Sequence, residues 1–230
     1  MVIMQCLDAP GRRHEIESGM RGEEVKMQRR VITSDTFTQT YASLPEWEGT
    51  TDTIHFVQYH PRGLKGGMMP ELDSYVPCKA NPTPLETRFS PWGPCGEDPA
   101  IYLEGMKKTK DLWLTRVMLR LAPGDADVGG AVRQWSDTFG IPTARRTDGE
   151  EGEELAYSNC RMGFVPGQQG QPDGVSSVTI GVEGKERLQG IMDRAKAAAV
   201  WKERWMEVAN VRWYLTLMGE AETEPSKAHM

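Results

Sequence analysis

The clearest alternation of apolar and polar positions lies in Leu112–Ala122, which reads LWLTRVMLRLA. Side chains of a strand point to alternate faces, so this period of two predicts a half-buried β-strand. The even-numbered face carries Leu114, Arg116, Met118 and Arg120. Because unpaired buried charge is very costly, we expect that face to line a wet or anionic space.

The switch from strand period to helix period occurs twice after Leu112. The first strand is followed by a helical pattern from Val128 to Phe139, and Gly140 stands where a helix C-terminus favours glycine. Two short strands follow, in EELAYSN and CRMGFVP. The second unit comprises the strand VSSVTIGV, a helix in EGKERLQGIMDRAKAAAV and strands at Arg204–Val208 and Val211–Met218. This repeat predicts an α+β fold in which two units bury sheet faces under outer helices and form a cup.

The N-terminal half predicts two further strands, Arg29–Tyr41 and Thr53–His60. A Pro- and Gly-rich stretch with large apolar residues follows from Pro61 to Pro99, and we expect it to be an ordered lid. Its part Arg62–Pro91 is expected to fold over the cup. The chain is thus divided into a loosely ordered segment (1–30), a region with the long loop (31–111), the two-unit domain (112–218) and a disordered tail (219–230).

Composition excludes several classes of function. A formal charge of -6 and a pI of about 5.4 give no basic field for nucleic acid. No run approaches the roughly 18 apolar residues of a membrane span, and the N-terminus lacks the pattern of a signal peptide. The 4 cysteines contain no CxxC pair, so free thiols in the cytoplasm are expected.

Several stretches resemble the vicinal oxygen chelate superfamily, which includes glyoxalases, bleomycin-resistance proteins and extradiol dioxygenases. They are LTRVMLRLAPGDADVGGAVRQWSDTFGIP, ELAYSNCRMGFVPG, VSSVTIGVEGKERLQGIMDRAKAAA and NVRWYLTL. The resemblance implies paired βαβββ units that form a cupped sheet with helices outside. The segment VITSDTFTQTY…TIHFVQYHP resembles the closing strands of a further, shortened N-terminal unit.

The resemblance also indicates where the metal ligands of the superfamily would stand. Arg116 replaces a histidine of the first strand, the equivalent position of the second unit falls near Ser177, and Trp213 replaces a glutamate of the closing strand. These three residues are not a divalent-metal ligand set, so the resemblance implies no classical metal triad within 112–218. In the N-terminal unit, the glutamate position corresponds to about His55.

Candidate acid–base residues are His55 and His60, with Glu71 in the loop that follows. Histidine is the usual proton carrier at neutral pH and the commonest metal ligand. Five residues along a strand place the two histidines on opposite faces, which argues against joint ligation unless Pro61 bends the strand end. A divalent metal held by His55, His60 and Glu71, and purely structural histidines, are the alternatives.

Candidate substrate-binding residues are Arg116 and Arg120, because a guanidinium group matches a carboxylate, phenolate or enolate. The alternative is that these arginines form salt bridges with Glu153, Glu154 or Glu207. The other residues expected to line the cup are Met118, Tyr157, Arg161, Trp213 and Tyr214.

The function that the resemblance implies is a small-molecule enzyme of the vicinal oxygen chelate type. It would act on an oxygenated aromatic or polyketide-like substrate by acid–base chemistry, as an isomerase, lyase or cyclase of secondary metabolism. The alternatives are a non-catalytic protein that sequesters an anionic or phenolic ligand, and a metal-dependent dioxygenase that uses the N-terminal histidines. A homodimer is compatible with each of these functions, and no nucleic acid or membrane partner is expected.

Overall fold

The computed structural model describes residues 2–5, 31–41, 50–76, 105, 107–146, 149 and 151–219. The named helices are α1 (Val128–Phe139) and α2 (Lys185–Ala197). The named strands are β1 (Val2–Gln5), β2 (Val31–Tyr41), β3 (Thr50–Tyr59), β4 (Pro70–Tyr75), β5 (Leu112–Arg120), β6 (Thr143–Arg145), β7 (Glu153–Ala156), β8 (Arg161–Val165), β9 (Gly174–Val182), β10 (Trp205–Val208) and β11 (Val211–Leu217). They form a 4-stranded and a 7-stranded sheet, which confirms the predicted α+β class.

The seven-stranded sheet contains the two predicted units, in the order β10-β11-β9-β5-β8-β7-β6. In each unit the first strand pairs in parallel with the last, β5 with β8 and β9 with β11. The two first strands, β5 and β9, pair antiparallel along their whole length. The units therefore continue one another across the β5–β9 pairing and form one cupped sheet.

Both helices lie on the same face of this sheet. A strand–helix–parallel strand connection is almost always right-handed, and applying that rule to β5–α1–β8 and β9–α2–β11 places α1 and α2 on one side. Trp135 and Phe139 of α1 pack in one core with Leu119, Leu155 and Phe164 of the sheet. We call this side the helix face and the opposite side the cup face.

Helix α1 begins and ends where the sequence predicts. The side chain of Asp127 accepts a hydrogen bond from the Gly130 N–H at 2.8 Å, which satisfies a donor of the first turn. Gly140 adopts a left-handed conformation (φ 66°) and its N–H donates to the Ser136 carbonyl, which ends the helix.

The four-stranded sheet has the order β1-β4-β3-β2, with β1 parallel to β4. This is the order of β5-β8-β7-β6, so the N-terminal sheet repeats the strand pattern of the first C-terminal unit. Two of its strands were not predicted: Val2–Gln5 lies in the segment expected to be loosely ordered, and Pro70–Tyr75 lies in the expected loop. Val2–Gln5 contains strand-favouring residues but is too short to show a period, and Pro70–Tyr75 has a weak local preference that pairing with neighbouring strands overrides.

The observed topology corrects the assignment of the closing strand in the N-terminal unit. The strand parallel to β1 is β4, which carries Glu71, whereas His55 lies on the preceding strand β3. The position that the resemblance assigned to about His55 therefore falls on β4.

The N-terminal sheet packs against the helix face of the seven-stranded sheet. Val57 and Tyr59 belong to the same core as α1, and the rings of Tyr59 and Phe139 meet edge to face at 6.2 Å between centroids. The loop after β3 is held to α1, since the Trp135 indole N–H donates to the Lys65 carbonyl at 2.9 Å. In the expected lid, residues 62–69 therefore begin on the helix face and 70–75 form β4, while 77–91 lie outside the described residues.

A substitution at Gly66 tests the packing of the loop after β3 against the seven-stranded sheet. Its φ is +94°, and a Cβ atom there would lie 3.0 Å from both Leu119 Cδ1 and Phe164 Cε1. We expect Gly66→Ala to lower the free energy of unfolding by about 2–5 kcal/mol, because left-handed strain and overpacking add. Gly124→Ala is the matched control, since Gly124 has φ +85° and no atom near its Cβ position. It should cost about 1–2 kcal/mol in urea unfolding, and equal losses in the two variants would contradict the packing described.

Candidate functional site

Cross-strand register brings two arginines of the cup face together. Arg116 of β5 lies opposite Arg161 of β8 on one side and Thr179 of β9 on the other. Glu154 of β7 faces the same side, because its neighbour Ala156 pairs with Arg161 and alternate residues share a face. The cup face of the first unit is therefore built around a carboxylate and two guanidinium groups.

Glu154 is the centre of this cluster. Its side chain is fully buried, and its Oε1 lies 3.0 Å from Arg116 Nη2 and 3.9 Å from Arg161 Nε. A buried carboxylate requires such partners, since desolvation penalises an uncompensated charge. Two guanidinium groups against one carboxylate leave one positive charge in excess. The salt-bridge alternative for Arg116 is thus realised, with Glu154 as the partner.

Met118 and Gly163 form the floor beside the cluster. The two residues lie directly opposite each other on β5 and β8. A Cβ at position 163 would fall 2.8 Å from Met118 Cε and 2.9 Å from its Sδ, so the glycine allows the methionine to lie flat across the sheet. Met118 is buried, as expected for a residue that fills gaps in packing.

Arg120 has a different partner from Arg116, although both lie on the same strand face. Its Nη1 donates to the Pro172 carbonyl at 3.2 Å, which connects β5 to the loop before β9. Its Nε is buried and, within the described chain, has no hydrogen-bond partner. The structure therefore does not place Arg120 in the Glu154 cluster.

Two residues expected in the cup, Tyr157 and Trp213, lie instead on the helix face. Tyr157 packs against the core that contains Leu155. Trp213 pairs with Val178, which pairs with Val117 of β5, and this row alternates with the row of Arg116. Burial raises the pKa of the Tyr157 hydroxyl well above its usual range, so this group stays protonated at neutral pH.

The metal positions implied by the superfamily do not fit a metal here. Arg116 is a cation already bound to Glu154, and Trp213 faces away from it on the opposite side of the sheet. Among the described residues, no group of three or more His, Cys, Asp or Glu side chains is arranged to hold a metal ion.

The N-terminal candidates do not converge on one point. Gln58 pairs with Glu71 and donates a hydrogen bond to its carboxylate, whereas His55 pairs with Ser74. Since positions 55 and 58 of β3 point to opposite faces, His55 and Glu71 lie on opposite sides of the N-terminal sheet. His60 is exposed beyond the strand end, and its Nδ1 accepts the Arg62 backbone N–H at 3.0 Å.

Sequence reasoning named Glu154 only as one of three alternative partners. The alternation in β7 could have identified Glu154 as the partner. The apolar Leu155 marks the helix face, so its neighbour Glu154 lies on the cup face. Glu153 and Glu207 are exposed. Tyr214, which was expected in the cup, shares the cup face through its pairing with Thr179. Trp205, which pairs with Tyr214, was not proposed as a site residue.

Comparison with known proteins gives matches in structure only. No family model and no curated protein matches the chain. Similar solved structures include a hypothetical protein from Staphylococcus aureus (9% identity, TM-score 0.47, 94% of this chain and 65% of that one). Another is BphC, a halotolerant catechol dioxygenase (12% identity, TM-score 0.48, 93% of this chain and 66% of that one). A third is methylmalonyl-CoA epimerase from Mycobacterium tuberculosis (14% identity, TM-score 0.31, 46% of this chain and 87% of that one).

The chain spans about two thirds of the length of the first two of these structures. All three TM-scores are below 0.5, and these matches assign no residue role to this chain. No helix of the described residues is long and apolar enough to cross a membrane.

Replacing Glu154 alone should destabilise the protein far more than replacing Glu154 and Arg116 together. We expect Glu154→Leu to lower the free energy of unfolding by about 3–5 kcal/mol, because it leaves Arg116 uncompensated. Adding Arg116→Met should restore most of that loss. Glu153→Gln, at the exposed neighbouring position, should change stability by about 0.5 kcal/mol or less. Urea unfolding measures all four proteins, and a double variant no more stable than Glu154→Leu would refute the pairing.

Cys160 should resist alkylation in the folded protein. Burial raises the pKa of its thiol to about 11, while nearby Arg161 acts in the opposite direction. The reactive thiolate is therefore scarce at pH 8 and increases as the pH rises toward 11. Iodoacetamide labelling, followed by mass spectrometry of the Cys160 peptide, should be slow at pH 8 and much faster in urea. Labelling at equal rates in both conditions would contradict this environment.

Proposed function

We propose that this chain binds a small molecule with an anionic oxygen group on the cup face and acts on it as an enzyme of the vicinal oxygen chelate type. The observation that carries the proposal is the cluster of Arg116, Glu154 and Arg161. Its excess positive charge lies on the concave side of the sheet, and a carboxylate, phenolate or enolate would complement it.

The burial of the three side chains assigns them different tasks. The side chains of Glu154, Arg116 and Arg161 are 0%, 17% and 40% exposed, respectively. Because Arg161 is the more exposed of the two arginines, we assign it the first contact with the ligand, with Arg116 supporting it. Glu154 is a positioning residue, because it holds Arg116 and is itself enclosed.

The chemistry we propose is acid–base: isomerisation, elimination or cyclisation through an enolate-like intermediate. The arginines would stabilise the negative charge that develops on the substrate oxygen, the kind of electrostatic stabilisation that often dominates catalysis. His60 is exposed at the end of β3 and His55 is half-buried within that strand. Both belong to the sheet that packs on the helix face, so we propose that the proton carrier for a cup-face ligand comes from another segment. A cytoplasmic location and a homodimer stay predictions from the sequence.

A non-catalytic binding protein is the second candidate. On the described cup face of the seven-stranded sheet, the strands present no histidine or cysteine side chain, and Glu154 is enclosed by its partners. A cup lined by arginine and aromatic residues is sufficient for sequestration without turnover. Incubating the protein with a bound ligand and following that ligand by NMR separates the two functions, since conversion requires an enzyme.

Arg161→Gln should weaken binding of an anionic probe without unfolding the protein. With 5-phenylpentanoate as the probe in isothermal titration calorimetry, we expect the Kd to rise about 30-fold or more, equivalent to about 2 kcal/mol. The variant keeps a planar, hydrogen-bonding end group but removes the positive charge. Arg145→Gln is the matched control, because Arg145 is exposed on β6 and pairs with Glu153 rather than with the cup face.

Comparing the two variants shows whether Arg161 contacts the ligand directly or acts only through the net charge of the protein. If Arg161→Gln and Arg145→Gln change the Kd equally, the positive charge acts only through the net charge of the protein. The proposed site would then be wrong.

A further inference from the structure

A single row of side chains crosses the cup face of both C-terminal units. The register pairs Trp205 with Tyr214, Tyr214 with Thr179, Thr179 with Arg116, and Arg116 with Arg161. Paired residues of neighbouring strands share a face, so these five side chains lie in line on the cup face. The row joins two aromatic rings of the second unit to the two arginines of the first.

The aromatic end of the row is a compact cluster. The rings of Trp205 and Tyr214 lie 6.1 Å apart between centroids, at an interplanar angle of 49°. The guanidinium carbon of Arg212 lies 5.3 Å from the Trp205 ring centroid, which fixes the indole by a cation–π contact. Both rings are half-buried, so each keeps part of its surface available on the cup face. We call Trp205 and Tyr214 the aromatic ledge.

The surface of the sheet between the aromatic ledge and the arginines consists of small polar side chains. Thr179 lies between Tyr214 and Arg116, and Ser177 occupies the next cup-face position of β9. Both are small and half-buried. Neighbouring strands are about 4.8 Å apart, so the backbones at Tyr214 and Arg116 are separated by two spacings, about 10 Å. A ligand can span this distance above the small side chains of β9.

We infer that the ligand is an aromatic acid whose ring rests on the ledge while its anionic group binds Arg161 and Arg116. The inference rests on the proposed function and adds to it a recognition element from the second unit. The separation favours an acid with several bonds between ring and carboxylate over one in which they are adjacent. The ring contributes offset stacking and burial of apolar surface, neither of which an alkyl chain of similar length reproduces fully.

The test compares matched acids on the full chain by isothermal titration calorimetry. The probes are 5-phenylpentanoate, hexanoate as its ring-free counterpart, and benzoate as the acid with no spacer. We expect 5-phenylpentanoate to bind at least fivefold tighter than either of the others. Tyr214→Leu should remove that preference while leaving hexanoate affinity unchanged, and Tyr214→Phe should retain it.

Trp213→Leu is the positional control, because Trp213 adjoins Tyr214 on β11 but faces the helix side. It should preserve the preference for the aryl acid. Thermal melting verifies that each variant is folded, and Tyr214→Phe keeps the test informative if Tyr214→Leu is not.

Failure of this inference differs from failure of the proposed function. If all three acids bind in an Arg161-dependent way but the ring adds nothing, or if Tyr214→Leu weakens aryl and alkyl acids equally, the ledge is not a ligand subsite. If no acid binds, or if binding ignores Arg161, both the proposed function and the inference are overturned.

Discussion

The antiparallel pairing of β5 with β9 is the constraint on which the rest of the C-terminal structure depends. It joins the first strands of two units edge to edge, so that seven strands form one sheet. With right-handed crossovers in each unit, the same pairing commits both helices to one face. The opposite face carries neither of these helices, and side chains of both units meet on it across the β5–β9 pairing. A slip of one residue in this register would exchange the two faces of a unit.

The charge distribution on the cup face depends on the enclosure of Glu154 between two arginines, Arg116 and Arg161. A buried ion pair is weak evidence for stability, because desolvation offsets much of its Coulomb energy and an apolar replacement of similar volume is often as stable. The fold could therefore have closed this position with apolar side chains. The cluster is better explained by what it presents, since it fixes Arg116 and leaves Arg161 partly exposed as a directed positive charge.

Sequence patterns predicted the elements that carry their own signal. Strand β5 showed a period of two, and α1 had helical periodicity and Gly140 at its end, so both were found. Strand β1 was missed because VIMQ, although Val2 and Ile3 favour strands, is too short to show a period. Strand β4 was missed because the acidic PELDSY carries little strand preference and depends on its pairing partners. Arg116 and Arg161 were proposed as site residues, and the structure brings both to Glu154. The face of Trp213 depends on a register between distant strands that local pattern does not encode.

The docking of the N-terminal sheet on the helix face bears on where chemistry can occur. Val57 and Tyr59 share the core of α1, so β3 is rigidly attached to the side of the seven-stranded sheet opposite Arg116. His55, half-buried in that strand, points toward the core side together with Val57 and Tyr59, since alternate residues share a face. A proton carrier for a ligand on the cup face must therefore reach it around the sheet edge or come from another segment. This geometry makes recognition of the anion, through Arg161, the part of the function that the described structure supports most directly.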